Sequence, residues 1–257
     1  YKCKIISSTF HNGWFENLEE YKDITFVKPD IPTEAYAHYR IGWFKNDGKW
    51  DSGLKNPNSP NTIPLIQTAT DILGLPYKEI NYGLNFTPKK KPIKGKYICI
   101  GPRSTAGLKE WPHKNWRELA KKLHRDGYKV VNLSYEGFKG TNIINKEKLG
   151  WEDTWNYLYH ADLFIGLGSG LSWVNWALDK QTVMINNFIP WGFEFTNYLT
   201  KIENNSVCNN CWVNESFTFD PGDWDWCPVF QGTEKQHICQ KSITVDQVYN
   251  KVLNMTL

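Results

Sequence analysis

Strands alternate with helices between residues 96 and 188, and this alternation constrains the fold more than any other feature of the chain. Short runs rich in β-branched and aromatic residues are separated by segments with helical apolar spacing. The strand runs are 96–102, 128–134, 162–168 and 182–188, and the helical runs are 114–127, 151–161 and 172–179. This rhythm predicts an α/β protein with a doubly wound parallel sheet. Such sheets bind ligands at the carboxyl ends of their strands.

The first ninety residues show the same rhythm less regularly. Runs 2–8 and 23–29 read as strands, with one helix expected over 11–21, a loop over 45–63 and a helix over 63–75 that ends at Gly74. The Pro- and Lys-rich segment 87–96 reads as an exposed linker. We therefore expect two domains in the 257 residues, 1–90 and 91–257. A last amphipathic helix is expected over 244–255.

Three loops after predicted strands could hold a phosphorylated ligand. Residues 101–116 join a strand to a helix, and Ser104, Thr105 and Lys109 add hydroxyl donors and a positive charge. The alternative is an ordinary solvated loop. In the second loop, 132–140, Glu136 stands where a carboxylate can accept hydrogen bonds from ribose hydroxyls, and Ser134 lies beside it. A surface charge is the alternative for Glu136.

The third loop carries a glycine run around Gly168, Ser169 and Gly170, which lets the backbone approach a diphosphate. It matches neither the Walker A pattern nor the G-x-G-x-x-G fingerprint of dinucleotide sites. We expect no strand order that would compensate for that mismatch. A nucleotide-diphosphate donor therefore fits better than NAD.

Four cysteines fall in the irregular segment 204–242, at positions Cys208, Cys211, Cys227 and Cys239. A CxxC pair close to two further cysteines is the usual layout of a structural tetrathiolate metal site. Two disulfides and a redox CxxC pair are the alternatives. Thiolates suit iron or zinc, and spacing does not separate the two metals. Cys3 and Cys99 lie in predicted strands and should be buried, unpaired and apolar in behaviour.

Charge and hydropathy point away from two partner classes. The net charge is only +3, which does not favour nucleic acid. No apolar run approaches the roughly 20 residues that span a bilayer, so we expect no membrane segment.

Several segments together resemble the bacterial autotransporter heptosyltransferases, within the wider GT-B heptosyltransferase family. The most specific are SVCNNCW, FDPGDWDWCP, GTEKQ and CQKSIT in the cysteine tail, with ISSTFHNGWFE, YRIGWF, IQTATDILGLPYKEI and GLGSGLSWVNWAL elsewhere. The resemblance implies a GT-B fold of two Rossmann-like domains, the first incomplete, plus the metal-binding tail. It also implies a cytoplasmic homo-oligomer that holds iron, with zinc as the alternative, in the four cysteines. The implied reaction moves heptose from ADP-heptose to Ser side chains of autotransporter adhesins.

The resemblance also implies roles for single residues. Lys109 falls on the basic residue near the donor phosphates, Glu136 on the residue that meets the ribose, and residues 168–170 on the Asp-Thr-Gly loop beside the diphosphate. Gly168 stands in place of that Asp, and Trp173 in place of a later His. The loop with the catalytic base would lie ahead of Tyr1, so no catalytic residue is assigned and a chain starting at Tyr1 is expected to lack the base. The competing hypothesis is a non-catalytic, metal-stapled binding or assembly module with the donor fold.

Overall fold

The fold is taken from a computed structural model of the chain. It describes residues 3–29, 33–39, 41, 44–46, 49–51, 58, 61–140, 142–218 and 222–256. Side chains of residues 44–46, 49–51 and 256 are outside this description.

A parallel six-stranded sheet forms the centre of the described chain. Its strands, in chain order, are β5 Tyr97–Ile100, β6 Lys129–Asn132, β7 Ile143–Asn145, β8 Leu163–Leu167, β9 Thr182–Ile185 and β10 Leu199–Ile202 (β1 to β4 precede them and are described below). The spatial order is β10-β9-β8-β5-β6-β7, and every neighbouring pair is parallel. The predicted doubly wound parallel sheet is confirmed. This order is also the one that dinucleotide-binding folds use, so our expectation that it would be missing is wrong.

Two helical layers cover the faces of this sheet. The helices of these layers are α2 His113–Arg125, α3 Trp151–His160, α4 Gly170–Ala177 and α6 Val245–Thr256. The short helix α5 Ile238–Lys241 precedes α6, and α1 is described below. Successive side chains of a strand point to opposite faces. Ile98 and Ile100 of β5 accordingly join the core formed with α2 and α6, and Tyr97 and Cys99 join the core formed with α3 and α4. Cys99 is therefore a buried free thiol in a strand, as predicted.

The amino-terminal part contains a second, smaller parallel pair. Strand β1 Ile5–Ser8 pairs with β2 Ile24–Val27. Two 3₁₀ turns, Asn12–Trp14 and Glu19–Tyr21, lie between them, so the predicted single helix is wrong. Asn17 between the turns has φ 69, a left-handed conformation that interrupts a helix. Cys3 precedes β1 and is exposed, so its predicted burial in a strand is also wrong.

The predicted loop over 45–63 lies largely outside the described residues. Its described part includes most of an antiparallel hairpin of β3 Phe44–Asn46 and β4 Lys49–Asp51. The helix predicted next is present as α1 Leu65–Ile72, and Gly74 follows it with φ 66. The last predicted helix is present as α6.

The lysine-rich segment 87–96 is exposed except around the buried Ile93, and it is fixed to helix α3. The backbone N–H of Lys89 donates to Asn156 Oδ1 at 2.9 Å, and Asn156 Nδ2 donates to the Lys90 carbonyl at 3.1 Å. His160 Nε2 lies 2.7 Å from the Lys89 carbonyl. The segment is thus anchored along its first half rather than free, and the domain boundary at residue 90 stays a prediction. No helix in the described ranges is long and apolar enough to cross a membrane.

Candidate functional site

Three loops meet at the carboxyl edge of the central sheet. They follow β5, β6 and β8, and β5 lies between β6 and β8, where the strand order reverses. A crevice forms at such a reversal because the connections on either side run to opposite faces. The residues predicted for donor binding are all in these three loops.

Lys109 connects the first loop to the third. It ends the 3₁₀ turn Gly107–Lys109, and its Nζ donates to the carbonyl oxygen of Gly168 at 3.0 Å. Burial lowers the pKa of Lys109, and the carboxylate of Glu194 opposes that effect. Gly168 is itself buried against Glu194 and Asn186, which occupy the space where a Cβ would project.

Ser169 and Gly170 form the start of helix α4. Ser169 is extended, with φ −147 and ψ 171, and its side chain makes no capping hydrogen bond. The positive end of the α4 dipole therefore points toward the same edge of the sheet as Lys109. Trp173, one turn further, packs its ring against Phe195 at 5.1 Å between centroids.

The first loop is held by its own polar contacts. The backbone N–H of Ser104 donates to Glu110 Oε1 at 3.2 Å, and Ser104 Oγ accepts from the N–H of Ala106 at 3.2 Å. Thr105 is exposed between them. Of the two predicted hydroxyls, the one on Thr105 is thus the more accessible to a ligand.

Arg103 is a site residue that the sequence reasoning did not single out. One guanidinium nitrogen lies 3.4 Å from Glu110 Oε2, and the other lies 3.4 Å from Glu136 Oε2. Its Nε is buried and has no hydrogen-bond partner among the described residues. Arg103 therefore ties the first loop to the second and keeps a donor unused. The signal that could have identified Arg103 was its position in the loop 101–116, directly before Ser104.

The second loop brings Ser134 and Glu136 to the same edge. Ser134 is 4% exposed, and its Oγ has no hydrogen-bond partner in the described part of the chain. Asn132 shapes this turn, because its Oδ1 accepts from the N–H of Ser134 at 2.9 Å. The carboxylate of Glu136 is largely exposed beside Arg103. Its surface position agrees with either a ribose contact or a simple ion pair.

The four tail cysteines line one pocket. Its walls also include the side chains of Asn187, Phe188, Trp226, Pro228 and His237. All four are free thiols, so the disulfide alternative is not realised. Burial, reinforced by neighbouring thiols, raises the pKa of Cys211 to about 11 and, with the same first cause, that of Cys239 to about 12. A redox or nucleophilic cysteine needs a lowered pKa, which disfavours the redox alternative.

The fit of this pocket to a metal ion is chemical rather than geometric. Four sulfur donors in one half-buried pocket match a thiophilic metal. Across the residues that the structure describes, however, no three His, Cys, Asp or Glu side chains stand close enough together to hold an ion as they are. The donor set therefore fits by its chemistry, and binding would require the thiols to move closer together. A cation there would also reverse the pKa rise, because thiolates would then be stabilised.

The cysteine segment is hydrogen-bonded to the first loop, 101–116, and no sequence pattern predicted this connection. Gln240, fully buried beside Cys239, donates from Nε2 to the Lys109 carbonyl and accepts at Oε1 from the N–H of Asn187 at 3.1 Å. Asn187 Nδ2 donates to the Cys239 carbonyl at 2.6 Å. On the other side, the N–H of Leu108 donates to the Trp224 carbonyl at 3.3 Å. The two predicted sites are thus parts of one hydrogen-bonded structure.

Comparison with known proteins points to one family. Residues 62–188 match the family described as Glycosyltransferase family 9 (heptosyltransferase). The autotransporter heptosyltransferase Aah of Escherichia coli is 33% identical over 96% of the chain and 65% of Aah. The inactive autotransporter heptosyltransferase BimC of Burkholderia thailandensis is 30% identical over 89% of the chain and 56% of BimC.

Solved structures of TibC from enterotoxigenic E. coli match the fold. The crystal structure described as a bacterial iron-containing dodecameric glycosyltransferase has a TM-score of 0.86 and 28% identity, covering 99% of this chain and 68% of TibC. The dodecameric iron-containing TibC in complex with ADP-D-beta-D-heptose has a TM-score of 0.79 and 29% identity, covering 92% of this chain and 65% of TibC. The chain spans less than two thirds of the length of the curated relatives named above.

Proposed function

We infer that the chain belongs to the heptosyltransferases, because residues 62–188 match Glycosyltransferase family 9 (heptosyltransferase) and autotransporter heptosyltransferases are among its relatives. From that premise we propose that it binds ADP-heptose at the carboxyl edge of the central sheet and serves transfer of the heptose to Ser hydroxyls of an autotransporter adhesin. The observation that carries this proposal is the contact of Lys109 with the Gly168 loop. It places a partly buried cation beside a helix N-terminus, which is a suitable environment for a diphosphate.

Each loop has a proposed share in holding the donor. The diphosphate would lie against Lys109, Ser169 and Gly170, with Ser104 and Thr105 at its other side. The ribose hydroxyls would meet Glu136, and the buried Ser134 hydroxyl, which has no partner among the described residues, would gain one. Lys109 and the α4 N-terminus would stabilise the leaving diphosphate as its negative charge develops. We assign no catalytic base within the described residues.

The cysteine pocket is proposed to hold iron, with zinc as the alternative, through Cys208, Cys211, Cys227 and Cys239. The donor set supports this, and TibC is described as iron-containing. When bound, the ion would cross-link the tail. The tail in turn supports Lys109 through Gln240. Its role would be structural, because all four donors come from the protein.

Two wider properties follow by analogy and chemistry. We propose a homo-oligomer, since TibC is described as dodecameric. We also propose a cytoplasmic location in bacteria, because four unpaired thiols persist in a reducing compartment.

The proposal is tested by calorimetry with ADP-heptose, ADP and other nucleotide sugars. The wild-type protein should bind ADP-heptose and ADP. Lys109→Ala should weaken both about ten-fold or more, because it removes a charge-assisted contact. Lys121→Ala is the matched control, since Lys121 pairs only with the exposed Glu118 on helix α2 among its described ion pairs. Equal affinities of the two variants would refute the assignment of Lys109.

The same titration addresses the non-catalytic module. That hypothesis predicts no nucleotide binding at the three loops. It is not favoured, because Aah and TibC are described as heptosyltransferase and glycosyltransferase, although BimC is described as inactive. Binding of ADP-heptose without turnover would support a BimC-like, inactive protein.

A further inference from the structure

Glu194 is a buried carboxylate to which the proposed function gives no role. Its residue is 4% exposed, in the segment between β9 and β10. Its oxygen lies directly under Gly168, where a Cβ would collide with it. A charged group in such a dry position is costly unless cations and hydrogen bonds compensate for the lost water.

The groups that face Glu194 come from three elements. They are Lys109 from the first loop, Lys201 from β10, and the side-chain amide of Asn186 at the end of β9. Burial raises the pKa of Glu194, and these three partners oppose the rise. Glu194 is therefore compensated mainly by two lysines.

Besides Glu194, Lys201 contacts a second carboxylate and a carbonyl, whereas the described hydrogen bond of the Lys109 ammonium goes to a carbonyl alone. Lys201 Nζ lies 2.6 Å from Glu203 Oε2 and donates to the Ile189 carbonyl at 2.6 Å. The hydrogen bond recorded for the Lys109 ammonium goes to the neutral Gly168 carbonyl, and Glu194 is the charged group that acts on it. Loss of Glu194 would consequently affect Lys109 more than Lys201.

We propose that Glu194 is a positioning residue that holds the Lys109 ammonium against the Gly168 loop, ready for the donor diphosphate. The role in donor binding rests on the proposed function. A lysine in a desolvated site without a nearby carboxylate loses its proton readily. A neutral amine would not attract a diphosphate. Gly168 is required for this arrangement, because a side chain at that position would occupy the space of the Glu194 carboxylate.

The first test measures Lys109 itself and needs no ligand. The protein is labelled with acetic anhydride at a series of pH values, and the modified fraction of Lys109 is read by mass spectrometry. In Glu194→Gln the labelling curve of Lys109 should move to lower pH, because the carboxylate that raises the pKa of Lys109 is removed. Glu194→Asp keeps the charge and should lie between Gln and the wild type.

Glu203→Gln is the matched control. Like Glu194→Gln, it removes a carboxylate that acts on a lysine, but the lysine is the buried Lys201 instead of Lys109. It should leave the Lys109 curve unchanged. Circular dichroism verifies that each variant is folded. Identical Lys109 curves in folded Glu194→Gln and wild-type protein would overturn the proposal.

The second test connects this pair to the donor. ADP affinity is measured by calorimetry at several pH values. Glu194→Gln should lose about ten-fold in affinity at alkaline pH, with the loss shrinking as the pH falls and Lys109 regains its proton. An unchanged pH profile with intact binding would overturn the inference and leave the proposed function standing. Absence of ADP binding by the wild type would overturn the proposed function, and the labelling curves would then still decide whether Glu194 holds Lys109.

Discussion

Replacing Gly168 by alanine should destabilise the protein, although the same change two residues later should not. A Cβ at Gly168 would lie 2.9 Å from Asn186 Nδ2, 3.1 Å from Glu194 Cδ and closer still to a Glu194 oxygen. Gly168 does not have a positive φ, so the penalty is steric rather than conformational. Because Glu194 is buried, its carboxylate cannot swing into water, and the collision must move a packed side chain. Such overpacking costs about 1–3 kcal/mol.

Gly170→Ala is the control in the same loop. A Cβ there meets nothing within 4 Å, and the position begins helix α4. Alanine restricts the unfolded chain at such a site and stabilises by about 0.4–1 kcal/mol. The two variants should therefore differ by about 1.4–4 kcal/mol in the free energy of unfolding, or roughly 3–16 °C in Tm for a chain of this size.

Urea unfolding with equal m values measures this difference. A double variant, Gly168→Ala with Glu194→Ala, should recover part of the loss, because it removes the Glu194 atoms that the new Cβ meets and leaves Asn186 Nδ2 in place. Equal midpoints for the two single variants would refute the packing argument, and so would strict additivity in the double variant.

Three further changes test the loop anchors, the early segment and the tail. Trp111→Phe should lower the free energy of unfolding by about 1–3 kcal/mol, because Trp111 Nε1 donates to the buried Ile243 carbonyl at 2.8 Å. Trp116→Phe should lower it less in the same urea experiment, because the buried Nε1 of Trp116 has no partner among the described residues. Glu79→Gln should lower the urea midpoint, because the Glu79 carboxylate accepts from the N–H groups of residues 196 and 197 at 2.9 and 3.0 Å, and the amide turns charge-assisted bonds into weaker ones; an unchanged midpoint would contradict this. Cys239→Ser should reduce the bound metal seen by elemental analysis and Cys3→Ser should not; wild-type protein without metal would exclude the proposed centre.

The interior strands could be predicted from the sequence, whereas the edge strands could not. The strands β5, β6, β8 and β9 are apolar runs, and three of them are buried along their whole length. The strands β7 and β10 are the outermost of the sheet, are three and four residues long, and are only partly buried. Edge strands carry a weak apolar pattern because one side lacks a neighbour, and their extended form depends on the strand beside them. The failed helix over 11–21 has a different, local cause, since the left-handed Asn17 interrupts an otherwise helical pattern.

The candidate site divides in the same way between local and distant determinants. The roles expected for Lys109, Ser134 and Gly168 depend on the loop that each occupies, and a loop can be located from the strand before it. The partners that set their chemistry come from elsewhere: Glu194 from the segment before β10, and Gln240 from the short helix α5. Neither residue lies in one of the three predicted loops, so no local pattern indicates that its side chain acts on Lys109.

The same distant contacts explain how the cysteine pocket, which is not suited to react, can support the loop that carries Lys109. The cysteine pocket has high thiol pKa values and no lowered one among the shifts that the structure resolves, so it is poorly suited to react. Its last cysteine, however, is followed by Gln240, whose side chain holds the backbone of Lys109, while the Trp224 carbonyl accepts from Leu108. The tail is thus hydrogen-bonded to the loop 101–116 at two neighbouring residues, Leu108 and Lys109. A metal that orders the tail would restrict the positions that Lys109 can take, and preorganisation of a cation is what binding a diphosphate requires.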